Sequence, residues 1–148
     1  MNISIRPYLS DDHQSVLELI RVNIPEYFAV NEEKEFATYL DGGIEDYFVV
    51  EVAGRIIGCG GINYVPEQKE AIISWDMIHP DHHGKGIGRK LLQYRLHKIR
   101  QSGQFATIRV RTSQLAHGFY ERAGFKLDQI KANYWGKGLD LYDMSQDT

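Results

Sequence analysis

The sequence is short of several things, and each shortage closes off a class of protein. It has a single cysteine, Cys59, so no internal disulfide can form. Set among Gly58, Gly60 and Gly61 in a strand-like stretch, that thiol is expected to be a small buried group without a chemical role. No apolar run approaches the length of a membrane span, and the first residues, MNISIR, hold no apolar core of the signal-peptide kind. A cytoplasmic protein without membrane attachment is the expectation. Basic charge is not in excess: 17 Lys and Arg against 20 Asp and Glu leave a formal net charge of −3. Binding a nucleic-acid backbone calls for a concentrated basic surface, so no nucleic-acid partner is expected. The one basic concentration (Lys85, Arg89, Lys90, Arg95, Lys98, Arg100) falls on one predicted helix, where a solvated face is the plain explanation. Arg89 and Lys90, beside a glycine turn, are the two singled out for function.

What is present describes a globular α/β chain. A length of 148 residues with 43% hydrophobic and 25% charged residues predicts one domain spanning residues 1–148. Ile3 and Ile5 alternate with polar residues, so residues 2–8 read as a strand. Ser10 is placed to cap a helix carrying Val16, Leu17, Leu19 and Ile20, closed by Pro25. Asn31 is placed to cap a second, acid-rich helix from Glu32 to Leu40. Strands follow at 45–53, 55–64 and 70–78, then a helix at about 86–101 and a strand at 105–111. A short helix through Arg122 and two last strands, 125–132 and 139–144, complete the order βααβββαβαββ. An antiparallel meander followed by helical crossovers predicts a mixed sheet with helices on both faces.

The stretch Met77 to Leu92, MIHPDHHGKGIGRKLL, organises the rest. A strand runs into a polar turn, then glycines at alternate positions, Gly84, Gly86 and Gly88, lead directly into a helical pattern. The first amides of a helix lack internal partners and carry partial positive charge. Glycines let the backbone take unusual dihedrals and let an anion come close. A phosphate is therefore expected on the amides of Lys85 to Lys90. The P-loop spacing is absent, because Gly84-Lys85 is followed by Gly86, and Arg89 breaks the dinucleotide fingerprint.

His83-Gly84-Lys85-Gly86-Ile87-Gly88 resembles the acetyl-CoA pyrophosphate turn of the GNAT N-acetyltransferases: Gln or Arg, two residues, Gly, one residue, Gly or Ala. His83 departs from that pattern at its first position. A second segment, Thr112 to Phe125, resembles the family's β5 to α4 region, with Phe119-Tyr120 and Gly124-Phe125 at its tail and Ser113 where many members carry Asn. The resemblance implies a central mixed, largely antiparallel sheet of about seven strands flanked by about four helices. It implies acetyl-CoA as co-substrate, cradled by Gly84, Lys85, Gly86, Ile87, Gly88, Arg89 and Lys90 with His83 and Ser113 nearby. The strand before the turn and the next one are expected to splay, leaving amides of Met77 and Ile78 for the pantetheine arm.

Acetyl transfer from a thioester to an amine also needs a polarised carbonyl, a neutral amine and a proton for the departing thiolate. An N–H near Ile78 is expected to serve the carbonyl. Tyr120, which the resemblance puts beside the sulfur, is expected to serve the thiolate as general acid, since a phenol stays protonated at neutral pH. The base is less defined. Family members often carry Glu or His where Ile72 and Ser74 stand here. Asp76 is the nearest acid on their strand parity, with Glu70 at the strand's start. A water chain, or an amine arriving neutral, serves equally. His79, His82 and His83 lie in the turn, and no second ligand cluster accompanies them, so no metal is expected. The resemblance also implies that the joint of the first two helices shapes the acceptor groove, which makes Glu26, Tyr27 and Phe28 candidates for contacting a small-molecule or peptide amine, and that the aromatic last hairpin is a candidate surface for a homodimer. A catalytically silent acyl-CoA sensor or interaction module, and another phosphate ligand in the turn, are the competing readings.

Overall fold

The computed structural model describes residues 2–148. Strands β1 (Ile3–Pro7), β2 (Asp46–Val52), β3 (Arg55–Val65), β4 (Glu70–Ile78), β5 (Thr107–Thr112), β6 (Lys126–Gly136) and β7 (Leu139–Asp147) form one sheet in the order β1-β2-β3-β4-β5-β7-β6. The β4–β5 pair is parallel, and every other neighbouring pair is antiparallel. The helices are α1 (His13–Val22), α2 (Glu32–Gly42), α3 (Ile87–Ser102) and α4 (His117–Arg122). No helix among the described residues is long and apolar enough to cross a membrane.

Both faces of the sheet are covered, and the sequence of β2 shows why its centre is uninterrupted by polar residues. Along Tyr47-Phe48-Val49-Val50 successive side chains point to opposite faces. Tyr47 and Val49 join Val16, Ile20 and Phe36 under α1 and α2, whereas Phe48 and Val50 join Leu91, Leu96 and Ile108 on the face of α3 and α4. A strand buried on both faces needs apolar residues throughout.

Two predicted caps work differently from expectation. Ser10 opens a short 3-10 turn, and the carboxylate of Asp12, paired with Arg6, accepts the Leu9 amide at 2.8 Å. Asn31 makes no side-chain cap on α2; its amide group donates to the Trp135 carbonyl at 3.3 Å, and the Glu32 carboxylate accepts the Ala29 amide at 2.8 Å. The last hairpin is also longer than its alternation suggests. Strand β6 runs through the predicted turn to Gly136 because irregular pairing and a left-handed Asn133 (φ 54°) absorb the polar residues there.

The glycines of β3 make room for side chains from elsewhere. A Cβ on Gly61 would lie 2.4 Å from the Tyr47 ring, and one on Gly60 would lie 2.5 Å from an Asp76 oxygen and 2.8 Å from an Arg95 nitrogen. Those two atoms belong to an ion pair that cannot step aside. Gly60→Ala should therefore lower the unfolding free energy in urea by about 1–3 kcal/mol, the usual cost of overpacking. Gly42→Ala, whose Cβ would meet nothing within 4 Å, should change it by less than about 1 kcal/mol; equal effects would mean that the ion pair has space to move.

Candidate active site

The site begins where two strands part. Pairing between β4 and β5 ends at Ile73–Val110, while β4 stays paired with β3 as far as Ile78–Gly58 and β5 with β7 as far as Thr112–Tyr142. Each strand is held at its outer edge only, and a cleft of about 1130 Å³ opens between them. Hydrogen-bonding direction alternates along an antiparallel ladder. The His79 amide donates to the Ile57 carbonyl at 2.8 Å, so Met77, two residues back, also bonds to β3, opposite Cys59. Met77 is thus not a free amide, contrary to expectation. Ile78 faces the other way: its carbonyl accepts from Asn23 Nδ2 at 3.2 Å and His83 Nε2 at 2.8 Å, and its amide is turned to the cleft. His83, where the family pattern has Gln or Arg, thereby braces the turn against the end of β4, with Tyr27 edge-on to its ring at 5.0 Å.

At one end of the cleft lies the glycine turn. Gly84 and Gly86 have φ of 75° and 79°, which side-chain-bearing residues rarely adopt, and a Cβ on either would point into open space. The first bond of α3 runs from the Lys90 amide to the Gly86 carbonyl at 3.1 Å. Lys90 therefore drops out of the expected amide cradle, because helix geometry spends its N–H internally. The amides of residues 84–89 have no hydrogen-bond partner among the described residues. Gly84, Gly86, Ile87, Gly88 and Arg89 line the cleft, whereas Lys85 and Lys90 contribute no lining side chain. Gly88 packs against β4 and α4, where a Cβ would sit in ordinary contact, 3.6 Å from both Ile78 and Phe119. Ser113 is buried at the cleft wall, its hydroxyl accepting the Leu115 amide at 3.2 Å.

The middle of the cleft depends on an irregularity in β4. Two residues, Trp75 and Asp76, stand opposite the single Gly60, and Trp75 takes φ 49°. Such a bulge shifts the side-chain alternation by one. Before it Ala71 and Ile73 face α3; after it Met77 faces α1 and α2, and Asp76 faces α3. Asp76 therefore does not share the parity of Ile72 and Ser74, which simple alternation had given it. It meets Arg95, a guanidinium with 0% exposure in the middle of α3. Arg95 Nη2 donates to Asp76 Oδ2 at 2.7 Å, Nη1 donates to Oδ1 and, at 3.0 Å, to the Gly61 carbonyl, and Nε donates to the Leu91 carbonyl at 3.2 Å. The Tyr120 hydroxyl donates to the same Oδ2 at 2.7 Å. Burial, and then the negative charge of Asp76, hold the Tyr120 pKa well above its usual value. Burial opposes the charge of Arg95, but the charge and hydrogen bonds of Asp76 outweigh it and the guanidinium pKa rises. Glu70, the other acid weighed on this strand, pairs with Arg109 at 3.0 Å, away from the cleft.

The remaining wall is aromatic. Tyr27, Phe28, Trp75 and Trp135 line it, with Phe28 stacked on Trp75 at 6.4 Å. Glu26 is exposed and does not line the cleft. In its place the acid from the α1–α2 side that lines the cleft is Glu32, only 4% exposed and read in sequence as one acid among several on α2. Burial raises its carboxyl pKa to about 7, the Ala29 amide opposing and the charge of Glu35 adding. Arg95 was likewise hidden within a basic helix face. Full burial raises the Cys59 thiol to about 12, so it is no nucleophile. Among the described residues no group of three or more His, Cys, Asp and Glu is arranged to hold a metal.

Residues 43–127 match the acetyltransferase (GNAT) domain family. Over 127 residues the chain is 29% identical to an amino-acid acetyltransferase of Mannheimia succiniciproducens, a match covering 86% of this chain but only 28% of that protein. The fold is that of a GNAT-family crystal structure from Desulfovibrio desulfuricans, with a TM-score of 0.82, 19% identity and 99% of both chains covered. A Salmonella typhimurium protein solved with its cofactor acetyl-CoA has the same fold, with a TM-score of 0.73, 20% identity and coverage of 99% of this chain and 94% of its own.

The buried carboxyl of Glu32 gives stability a pH dependence of defined sign. Its folded pKa, about 7, exceeds the ordinary 4.5, so the stability it brings is fully present below pH 4.5 and is lost as pH rises through 7. Relative to Glu32→Gln, the wild-type protein should lose on the order of 2–3 kcal/mol of unfolding free energy between about pH 5 and about pH 8. Parallel denaturation curves for the two proteins at both pH values would show that Glu32 titrates as an ordinary surface acid.

Proposed function

The chain belongs to the GNAT acetyltransferase family, and from that membership we propose that it moves an acetyl group from acetyl-CoA to a primary amine by direct attack in the cleft, with Tyr120 as general acid. The observation that carries this is a phenol held on the cleft wall, between strands that part and beyond a turn of unpaired amides. The acetyl-CoA bound by a protein of the same fold supports the donor. The name of the partly matching relative, an amino-acid acetyltransferase, supports a small-molecule acceptor bearing an amino group.

Residues of this chain fit each task. The amides of residues 84–89, at the positive end of α3, suit a pyrophosphate, and the open space at Gly84 and Gly86 lets it reach them. The Ile78 amide donates to the thioester carbonyl oxygen as negative charge builds there. Tyr120 keeps its proton because burial and Asp76 both penalise the phenolate. At rest that proton lies on Asp76 Oδ2. Rotation about Cζ–Oη turns it to the departing sulfur, while Arg95 retains its two bonds to the carboxylate. Asp76 orients the acid in this scheme. With both oxygens committed to Arg95 and Tyr120, it is poorly placed to take a proton from the acceptor.

Tyr120→Phe should leave the fold and acetyl-CoA affinity nearly unchanged and lower kcat about 10²-fold, or about 2.7 kcal/mol, in a chemistry-limited thiol-release assay. A donor with a more acidic thiol should recover most of that loss, because its thiolate needs no proton to leave. Full activity of the variant would make Tyr120 a packing residue.

The turn is tested by binding. Gly86→Glu brings a negative charge into the anion site and a side chain to a left-handed position, and it should abolish acetyl-CoA binding by calorimetry in a folded protein. Unchanged affinity would remove the turn from the site.

A further inference from the structure

Glu32 presents an unusual combination: a carboxylate almost closed off from solvent, on the wall of the cleft, with no cation beside it. Among the described residues none forms an ion pair with it, and its single hydrogen bond runs from the Ala29 amide to Oε2 at 2.8 Å. The other oxygen, Oε1, has no partner. Among the described residues His82 Nδ1 is the one fully enclosed side-chain atom that lacks a partner; Oε1 therefore keeps some access to solvent, and Glu32 lines the cleft. A buried carboxylate without a counter-charge is costly unless something supplies one.

We propose that Glu32 holds the protonated amino group of the acceptor and is the base that frees it for attack, so that the acceptor is a cationic primary amine taken up as the ammonium ion. This rests on the acetyltransferase reading above. The cleft that Glu32 lines suits the same ion, since ammonium groups are attracted to aromatic faces and Tyr27, Phe28, Trp75 and Trp135 line that same cleft. The end of β6 reaches the loop before Glu32, with Asn31 donating to the Trp135 carbonyl.

Other titratable groups leave this role open. Glu35, on the same helix, is the like charge that acts on Glu32. Asp76 and Tyr120 are tied to Arg95, and Tyr27 packs on His83. His82 lies in the turn before α3, and Arg111 is engaged with the rings of Tyr134 and Trp135. Arg89 and Arg122 line the cleft without pairing with Glu32. A carboxyl whose pKa burial has brought to about 7 is matched to proton uptake at neutral pH.

The protons balance. The ammonium gives one proton to Glu32, which later releases it to solvent. The nitrogen lone pair forms the C–N bond, and the C–S bond breaks with its electrons on sulfur. Tyr120 supplies the proton to sulfur, and the second proton shed by nitrogen restores the phenol through solvent. The products are an amide, a free thiol and one released proton.

The test uses 2-phenylethylamine, which stays protonated near neutrality, and O-benzylhydroxylamine, whose amine is already neutral. Glu32→Gln keeps size and the Ala29 hydrogen bond, and its fold is checked by melting at low pH, where both side chains are uncharged. By calorimetry, 2-phenylethylammonium should bind the wild-type protein about tenfold more tightly at pH 8 than at pH 6, following ionisation of Glu32. Binding to Glu32→Gln should be at least about tenfold weaker and flat with pH. In thiol release from acetyl-CoA, the variant should lose roughly 10²-fold in kcat/KM with 2-phenylethylamine and only about threefold or less with O-benzylhydroxylamine. No binding to the wild-type protein, or equal pH dependence in both proteins, overturns the ammonium site. Equal losses with both nucleophiles overturn Glu32 as base. Absence of thiol release by the wild-type protein with either nucleophile overturns the acetyltransferase reading and the base with it, while the binding measurement still decides whether Glu32 holds the cation.

Discussion

A guanidinium with no solvent around it cannot be left without a counter-charge, and the centre of this molecule is arranged around that requirement. Arg95 projects from α3 onto the sheet with 0% exposure. Removing one partner of such a pair costs about 3–5 kcal/mol, because the other charge is then buried alone. Asp76 supplies the charge, the carbonyls of Gly61 and Leu91 accept two further N–H groups, and the bare Cα of Gly60 leaves the space. The bulge at Trp75 is what turns Asp76 to that face. Helix α3, strands β3 and β4 and, through Tyr120, helix α4 are thus fixed by one ion pair.

The same arrangement gives the two acids of the cleft different surroundings. Asp76 is drawn into structure, so the phenol above it is oriented and kept protonated, and the carboxylate is no longer free to accept a proton from a substrate. On the opposite face of the sheet, α1 and α2 pack Phe36, Tyr39, Tyr47 and Trp75 into one aromatic cluster. Glu32 comes from the first turn of α2 and forms no ion pair among the described residues. Two acidic groups that look equivalent in sequence thus have different chemistry because one met an arginine and the other only a backbone amide.

Much of the fold was legible because it rests on local rules. Alternation of Ile3 and Ile5 with polar residues gave β1, a helical pattern gave α3, and glycines, two of them left-handed in the structure, marked the turn before it. Local chemistry was less reliable at caps. Asn31 and Ser10 are good cap residues by type, but Asn31 was taken by a carbonyl from β6 and the work at the two helix starts passed to Glu32 and Asp12. Met77 and Lys90 were misjudged for a related reason: whether an amide is free depends on which neighbour it faces, and neither the β3 register nor the first bond of α3 is written in residue type.

The sequence by itself determined the order of elements, the glycine turn before α3, the phenol at position 120 and the family that these together resemble, because each depends on contacts within a few residues. Tertiary structure alone decided that Asp76 is half of an ion pair, that Arg95 is its partner, that Glu26 is outside the cleft and that Glu32 is on its wall. Those outcomes hang on a one-residue shift of side-chain parity in β4 and on the packing of helices far apart in the chain. A carboxylate's chemistry is set by its neighbours in space, and a linear sequence does not list them.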